Sequence, residues 1–239
     1  MNKILIIARR ELQSFFDSLM AYILLIVFLG FSGFFTWIYM SDIFFINQAT
    51  LAGFFGIAYW TLFFVIPALT MRSLAEENRL GTIELLLTKP VNHWQIVAGK
   101  FAAVLMLILV ALLFTLPYYI SVAKLGPIDH GSVISGYLGL ILMSSVYIAI
   151  GIFASSVSSN QIVAFLSALF ISIFFHWIFE MLGSNLPGFA GSFLTYLSVS
   201  AHFDALTRGV IDSKDIIYFI SVTMLALLGA RLSLESKRS

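Results

Sequence analysis

The sequence has few charged residues and no cysteine. Of its 239 residues, 10% are charged and 60% are hydrophobic, whereas soluble domains carry roughly 25% charged residues. This composition excludes a soluble globular protein. The lack of cysteine excludes disulfides and thiolate metal sites. Neither phosphate-binding pattern, GxxxxGK[ST] or GxGxxG, occurs anywhere in the sequence, so it carries no nucleotide-binding signature.

Residue patterns typical of enzymes and metal sites are also missing. No serine lies in a GxSxG pattern, and no aspartate pair lies within an apolar run. The histidines are scattered over separate regions without metal-ligand spacing; they are His93, His130, His176 and His202. We therefore predict that the chain is not an enzyme and has no catalytic residue, bound cofactor or metal site. We also expect no nucleic-acid partner.

Long apolar runs dominate the sequence. Six of them occupy residues 19–40, 51–71, 101–123, 133–155, 162–182 and 216–234. Each is long enough to cross ~30 Å of hydrocarbon as a helix. Helices are expected because lipid offers no partner to unpaired backbone groups. The sequence therefore predicts an all-α membrane protein with six transmembrane helices.

The basic residues are distributed unequally between the two sides of the predicted bundle. The side with both termini has Lys3, Arg9, Arg10, Arg72, Arg79, Lys89, Lys100, Arg231, Lys237 and Arg238, and the other has Lys124, Arg208 and Lys214. Basic connections stay in the cytoplasm. This distribution predicts that both termini and the polar interval 72–100 are cytoplasmic.

The first 18 residues are too polar to span a membrane. Their apolar side chains recur with helical periodicity, and basic side chains lie on the opposite face. This pattern predicts an amphipathic helix in the cytosolic interface before the first span. The alternative is a basic leader that only sets the topology.

The connection 183–214 is the longest on the outer side. Pro187, Gly188 and Gly191 are expected to break the end of the fifth span. Ser200 then predicts the cap of a short helix over 201–208, which Gly209 closes. Ser213, with Asp215 in the first turn, predicts the start of the sixth span.

His176 and Glu180 are the ionisable side chains in the outer half of the fifth span. Their i, i+4 spacing places them on one face of an α-helix. Such a pair could form a proton relay, because charged groups within membranes are functional candidates. In the alternative interpretation, Glu180 reaches water at the span end and His176 joins Trp177 in an interfacial aromatic belt.

The interval 72–100 contains a short apolar run within charged sequence. Gly81 is expected to end a charged helix that continues the second span, and Thr82 caps the run 83–87. This run is too short to cross a membrane and too apolar to be left in water. The run is therefore interpreted as a short helix that docks on a soluble partner. The alternative is an interfacial helix that rests on lipid headgroups.

Two polar segments mark helix ends at the cytoplasmic side. Asn92 with Gln95 three residues later predicts the start of the helix that enters the third span. The serine- and asparagine-rich segment 155–160 predicts the turn between the fourth and fifth spans.

Several of these segments resemble ABC-2-type permeases, and most closely the gliding-motility-associated ABC permeases. The most specific match is AEENRLGTIELLLTKPV at 75–91. Others are ARREL at 8–12, IVAGK at 96–100, SSNQIVAF at 158–165, AHFDALTRGVID at 201–212 and LESKRS at 234–239. The resemblance covers nearly the whole chain.

The resemblance implies an elbow helix at 1–18, which includes Arg9, Arg10 and Glu11, followed by a transmembrane domain at 19–239. It also implies that the loop 72–100 bears a coupling helix that seats in a cytosolic ABC ATPase subunit. The implied coupling residues are Glu76, Glu77, Arg79, Gly81, Thr82, Ile83, Glu84, Leu86, Leu87 and Pro90. ATP and Mg²⁺ would then lie on that partner, and a second permease copy or a related permease would complete a dimer in the bacterial inner membrane.

From these observations we predict the permease subunit of an ATP-driven exporter that works by alternating access. The alternative from a different class is a proton-coupled secondary transporter that uses Glu180 and His176.

Overall fold

The computed structural model describes residues 3–39, 48–82 and 91–236, and within them the chain is helical without strands. The first half contains α1 (Lys3–Asp17), α2 (Met20–Trp37), α3 (Ala52–Thr70), α4 (Ala75–Leu80), α5 (His93–Leu113) and α6 (Leu116–Leu125). The second half contains α7 (His130–Val157), α8 (Gln161–Ile173), a π-helical turn (Phe174–Ile178), α9 (Phe179–Asn185), α10 (Gly188–Tyr196), α11 (Val199–Thr207) and α12 (Ser213–Ser236).

The predicted six spans are confirmed. Among the described residues, six helical stretches are long and apolar enough to cross a membrane: Met20–Trp37, Ala52–Leu80, His93–Leu125, His130–Val157, Gln161–Asn185 and Ser213–Ser236. We call them spans one to six. The third is interrupted between α5 and α6, where the Thr115 hydroxyl donates to the Leu112 carbonyl at 2.6 Å. Pro117 follows and disfavours an uninterrupted helix.

Span four, which is α7, is the central helix of the bundle. In the most apolar stretch of span four, 72% of the residues are buried, compared with 28%, 22% and 28% in spans one, five and six. It packs against α3, α5, α8, α11 and α12. Gly136 permits one of these close contacts, because a Cβ there would lie 2.5 Å from the Phe55 ring. Span four is therefore more enclosed than spans one, five and six.

Helix α1 is amphipathic, and its apolar face packs against α5 and α2. Ala8 is fully buried. The contact is close because α5 offers Gly99, where an added Cβ would lie 2.6 Å from the Ile7 Cγ2 atom. The exposed face carries Arg9 and Arg10.

We call the end of the bundle where α1, α4 and the first turns of α5 meet the inner end, following the predicted orientation. The opposite end, with α10 and α11, is the outer end. At the inner end α5 begins at His93, and the Asn92 N–H donates to the Gln95 side chain at 3.1 Å, as expected. The turn between α7 and α8 is formed by residues 158–160, whereas Ser155 and Ser156 lie in α7.

At the outer end, several predicted helix boundaries are wrong by one or two residues. Ser198 caps α11 instead of Ser200, whose hydroxyl donates to Glu180. Asp212 accepts from the Lys214 N–H at 3.1 Å and so takes the capping role predicted for Ser213. Gly209, with φ +86°, closes α11 as expected.

Gly191 does not break the fifth span, because it lies inside α10, a helix that the sequence patterns did not predict. Span five ends earlier, at Asn185.

Candidate functional site

At the inner end, α4 is anchored to the central helix through one serine. The Leu74 and Ala75 N–H groups both donate to the Ser155 hydroxyl oxygen at 2.9 Å, and that hydroxyl donates to the Met71 carbonyl at 3.0 Å. These bonds satisfy backbone groups that the change of direction after α3 would leave unpaired. Because Ser155 is fully buried, α4 starts from a defined point on α7.

A second anchor holds the other side of α4. The Asn78 amide donates to the Ser156 carbonyl at 3.2 Å and to the Ser158 carbonyl at 2.9 Å. Gly81 then ends the helix in the left-handed conformation, with φ +66°, which glycine adopts without steric cost. The position and the end of α4 are therefore set before the chain leaves toward residue 83.

Lys100 forms the electrostatic centre of the inner end. Its side chain lies in α5 and is 3% exposed. Its ammonium donates to Glu11 Oε1 at 3.0 Å and to Glu77 Oε1 at 2.8 Å. A buried ammonium without partners would be strongly unfavourable. These two carboxylates, from α1 and α4, therefore account for its position.

A charged cleft of about 370 Å³ opens beside this cluster. Its lining includes three basic and three acidic side chains, namely Arg10, Arg72, Lys100, Glu11, Glu76 and Glu77. Arg72 Nε donates to Glu76 at 3.1 Å, in a pair whose side chains are 40% and 30% exposed. Among the described residues, the second Glu77 carboxylate oxygen is buried without a hydrogen-bond partner. The cleft is thus lined by both signs of charge.

The structure brings together some of the sequence-predicted coupling residues. Glu77 and Glu11 meet on Lys100, Glu76 pairs with Arg72, and Arg79 is exposed on α4. Thr82 lines the cleft. The remaining predicted residues, which lie outside the described part of the chain, are Ile83, Glu84, Leu86, Leu87 and Pro90.

Sequence reasoning missed the role of Lys100, which it counted only as a basic flank. A lysine directly before the apolar run 101–123 is a weak signal on its own, since basic residues are common at span ends. Its carboxylate partners lie 23 and 89 residues away, so no local pattern joins them.

Within span five, His176 is enclosed by aromatic rings. Its ring centroid lies 4.2 Å from that of Tyr59, 4.4 Å from Phe63 and 4.6 Å from Trp60. Its Nδ1 atom is 2.5 Å from the Tyr147 hydroxyl. The expectation that His176 joins Trp177 in an interfacial belt is wrong for the histidine, which is 2% exposed, whereas Trp177 is 58% exposed.

Glu180 takes different partners from His176. Its carboxylate accepts from the Ser198 hydroxyl at 3.5 Å and from the Ser200 hydroxyl, both at the start of α11. His176 lies inside the π-helical turn Phe174–Ile178, whereas Glu180 follows that turn in α9, and a π turn shifts the phase of the following helix. The i, i+4 relay geometry expected for an uninterrupted α-helix is therefore altered.

A second acidic residue lies near Glu180. Burial raises the pKa of Asp204 in α11, and the negative charge of Glu180 raises this pKa further, while Arg208 lowers it. The outer end thus holds two carboxylates close enough to affect each other.

His202 and Asp215 form a buried pair that sequence reasoning also missed. The His202 Nδ1 atom is 2.6 Å from Asp215 Oδ1, and Nε2 is 2.8 Å from the Tyr196 carbonyl oxygen. A carbonyl oxygen can only accept, so Nε2 must carry a proton. The short contact at Nδ1 holds a second proton, on the imidazole or on the carboxyl. The two hydrogen bonds of the His202 ring therefore need one proton each.

No group of histidine, aspartate or glutamate side chains in the described residues could hold a metal ion. The clusters are arranged to connect helices: Lys100 joins α1, α4 and α5 at the inner end, and the His202–Asp215 pair joins α11 to α12 at the outer end.

Comparison with known protein families found one match. The family model described as "ABC-2 family transporter protein" matches residues 43–232, which is most of the chain and includes α4, Lys100 and the His202–Asp215 pair. No curated protein matches the sequence.

Proposed function

Because the chain belongs to the ABC-2 family of transporter proteins, we propose that it is the permease subunit of an ATP-driven exporter. A separate cytosolic ABC ATPase binds ATP and Mg²⁺ and supplies the energy. The six-span bundle responds by alternating access. This division of labour agrees with a sequence that contains neither phosphate-binding pattern.

The construction of the inner end is the observation that carries this proposal. Helix α4 is held by Ser155 and Asn78 and is bonded to Lys100 through Glu77. It leads directly to residues 83–90, the segment predicted to dock on the ATPase. A rigid support next to a docking segment suits the transfer of force from a soluble partner into the bundle.

The same proposal includes the assembly and the membrane. The permease acts as a dimer, with a second copy or a related permease, and each permease engages one ATPase subunit. The complex resides in the bacterial inner membrane, with both termini in the cytoplasm. The narrower resemblance to gliding-motility-associated permeases stays a prediction.

Capture of the ATPase tests this function directly. The affinity-tagged wild-type chain is expected to co-purify with an ABC ATPase. Leu86→Asp would place a charge in the predicted docking run, where a buried leucine contributes about 1.5–3 kcal/mol. The affinity should therefore fall roughly 10- to 100-fold, measured by titration of the ATPase onto the permease in nanodiscs.

The matched control is Ser236→Asp, which adds the same charge at the exposed end of α12 and should leave the affinity unchanged. If the wild-type chain captures no ABC ATPase, the proposed function is wrong. If Leu86→Asp binds as tightly as the control, the docking segment is assigned wrongly although the function stands.

A further inference from the structure

We infer that Lys100 is a positioning residue that couples α1 to α4, so that displacement of α4 by the ATPase moves α1 as well. This inference rests on the proposed function, because it assumes that a partner displaces α4. It assigns a role to a residue outside the predicted docking run, and to a helix, α1, that lies outside the family match.

Packing gives α1 and α4 different main neighbours. Helix α1 packs on α5 and α2, whereas α4 packs on α7 and α8. The bonds of α4 to Ser155, Ser156 and Ser158 all lead to the α7 side. A displacement of α4 would therefore reach α7 directly, but through packing it would reach α1 only by way of intervening helices such as α5, which packs on both α7 and α1.

Lys100 provides a direct link between α4 and α1. Its ammonium is held at 2.8 Å from Glu77 of α4 and at 3.0 Å from Glu11 of α1. The ammonium is almost wholly buried, and charge-assisted hydrogen bonds to ionised partners are stronger than neutral ones. The three side chains therefore form one bridge from α4 through α5 to α1.

Loss of the lysine would reverse the interaction. Without the ammonium, Glu11 and Glu77 would face each other as like charges, which repel at short range. The neighbouring cleft of about 370 Å³ gives both side chains room to separate. Lys100→Met should thus uncouple α1 from α4 while the packing of each helix on its own neighbours is kept.

The chain offers a matched control in the same cleft. Arg72 pairs with Glu76 four residues away, and both side chains are partly exposed. Exposed pairs of this kind contribute little to stability, and Arg72 reaches neither α1 nor Lys100, since its other side-chain contact is with the Met20 sulfur of α2 at 3.3 Å. Arg72→Met removes the same charge and the same kind of bond without breaking the bridge.

The experiment follows each helix separately during the nucleotide cycle. The cysteine-free sequence allows a single spin label on α4, through Leu80→Cys, or on α1, through Gln13→Cys, since both side chains are exposed and neither is a predicted coupling residue. Spectra of the full permease–ATPase complex in nanodiscs are compared without nucleotide and with ATP and vanadate. The wild type should show a nucleotide-dependent change at both labels.

Lys100→Met should keep the change at Leu80→Cys and lose the change at Gln13→Cys. Glu11→Leu, which removes the hydrogen-bond acceptor of the α1 arm at a side chain that is 27% exposed, should do the same, and it decides the question if Lys100→Met fails to assemble. Arg72→Met should keep both changes. ATPase affinity should be equal in all variants, a result that general loss of structure would not produce.

The inference is overturned if the Gln13→Cys label does not respond in the wild type while Leu80→Cys does, or if it still responds in Glu11→Leu. A wild-type complex in which the Leu80→Cys label does not respond to nucleotide would instead contradict the proposed function itself.

Discussion

Asp204 and Asp212 are two aspartates at the outer end whose surroundings shift their pKa values in opposite directions. Burial and Glu180 raise the pKa of Asp204. The pKa of exposed Asp212 is lowered, first by the Lys214 backbone N–H and then by the Lys214 side chain. One aspartate is thus favoured in its protonated form by the fold, and the other in its ionised form.

This difference predicts opposite pH dependence. The folded state binds the Asp204 proton more tightly, so its contribution to stability is fully present at low pH and is lost as the pH rises through the raised pKa. Asp204→Asn should therefore raise the melting temperature at neutral pH relative to wild type, with a smaller difference in acid. Thermal unfolding in detergent between pH 4 and pH 8 would measure it.

Asp212→Asn serves as the control of opposite sign. Ionised Asp212 stabilises the folded state above its ordinary pKa, and this contribution is lost as the pH falls through the lowered pKa. The variant should lower the melting temperature at neutral pH and approach wild type in acid. Equal pH profiles for Asp204→Asn and wild type would contradict the assigned electrostatics.

At the scale of elements, the outer end depends on the attachment of α11 to α12. The His202–Asp215 pair spans the loop between these helices, and the His202 ring stacks on Tyr218 of α12 with a centroid distance of 4.1 Å. The Tyr218 hydroxyl donates to the Leu197 carbonyl just before α11 at 2.6 Å. Stacking and hydrogen bonding therefore act at the same junction.

A double-mutant cycle tests this attachment. His202→Phe keeps an aromatic ring on Tyr218 but leaves Asp215 buried without its partner, and breaking a buried pair in this way costs about 3–5 kcal/mol. The double variant His202→Phe with Asp215→Asn should recover part of that loss. We expect a coupling energy of roughly 0.5–3 kcal/mol from unfolding measurements; additive effects of the two substitutions would show that the pair is not coupled.

The π-helical turn is the other element that alters the outer end. It interrupts span five at Phe174–Ile178, and π turns occur frequently at functional sites. Here it accompanies a histidine in an aromatic enclosure and a glutamate bonded to α11. In the structure these two side chains take separate partners and share no hydrogen bond, and the proton relay stays an untested alternative.

At the scale of the whole molecule, the orientation of the bundle can be tested by labelling. Ten of the 13 basic residues lie on the predicted cytoplasmic side. Single cysteines at Gly131 and Ser192 should react with a membrane-impermeant maleimide in intact cells, whereas one at Arg79 should react only after permeabilisation. All three positions are exposed.

The choice of Ser192 follows from packing at the adjacent position. Gly191 is buried in α10, and a side chain there would collide with the Leu186 carbonyl. Labelling of Arg79→Cys in intact cells, or protection of both outer positions, would reverse the predicted orientation.

The sequence alone predicted the class of protein and its spans. Long apolar runs predict membrane helices because a spanning helix must satisfy its own backbone in lipid, and this requirement is local. Gly81, Gly209 and the Asn92–Gln95 pair predicted helix ends for the same reason: caps and turns depend on neighbouring residues. The family resemblance was likewise carried by contiguous segments, and the family match confirmed the ABC-2 part of it.

Only the tertiary structure decided which polar side chains meet. Lys100 lies 89 residues from Glu11, and His202 lies 13 residues from Asp215 across a helix end. Ser200 does not cap α11, because its hydroxyl donates to Glu180 of another helix. The π-helical turn changes which face of span five carries the residues after His176. A buried charge or hydroxyl bonds to the partner that the packed helices bring within about 3 Å. The identity of that partner depends on how the helices pack, and no local sequence pattern specifies the packing.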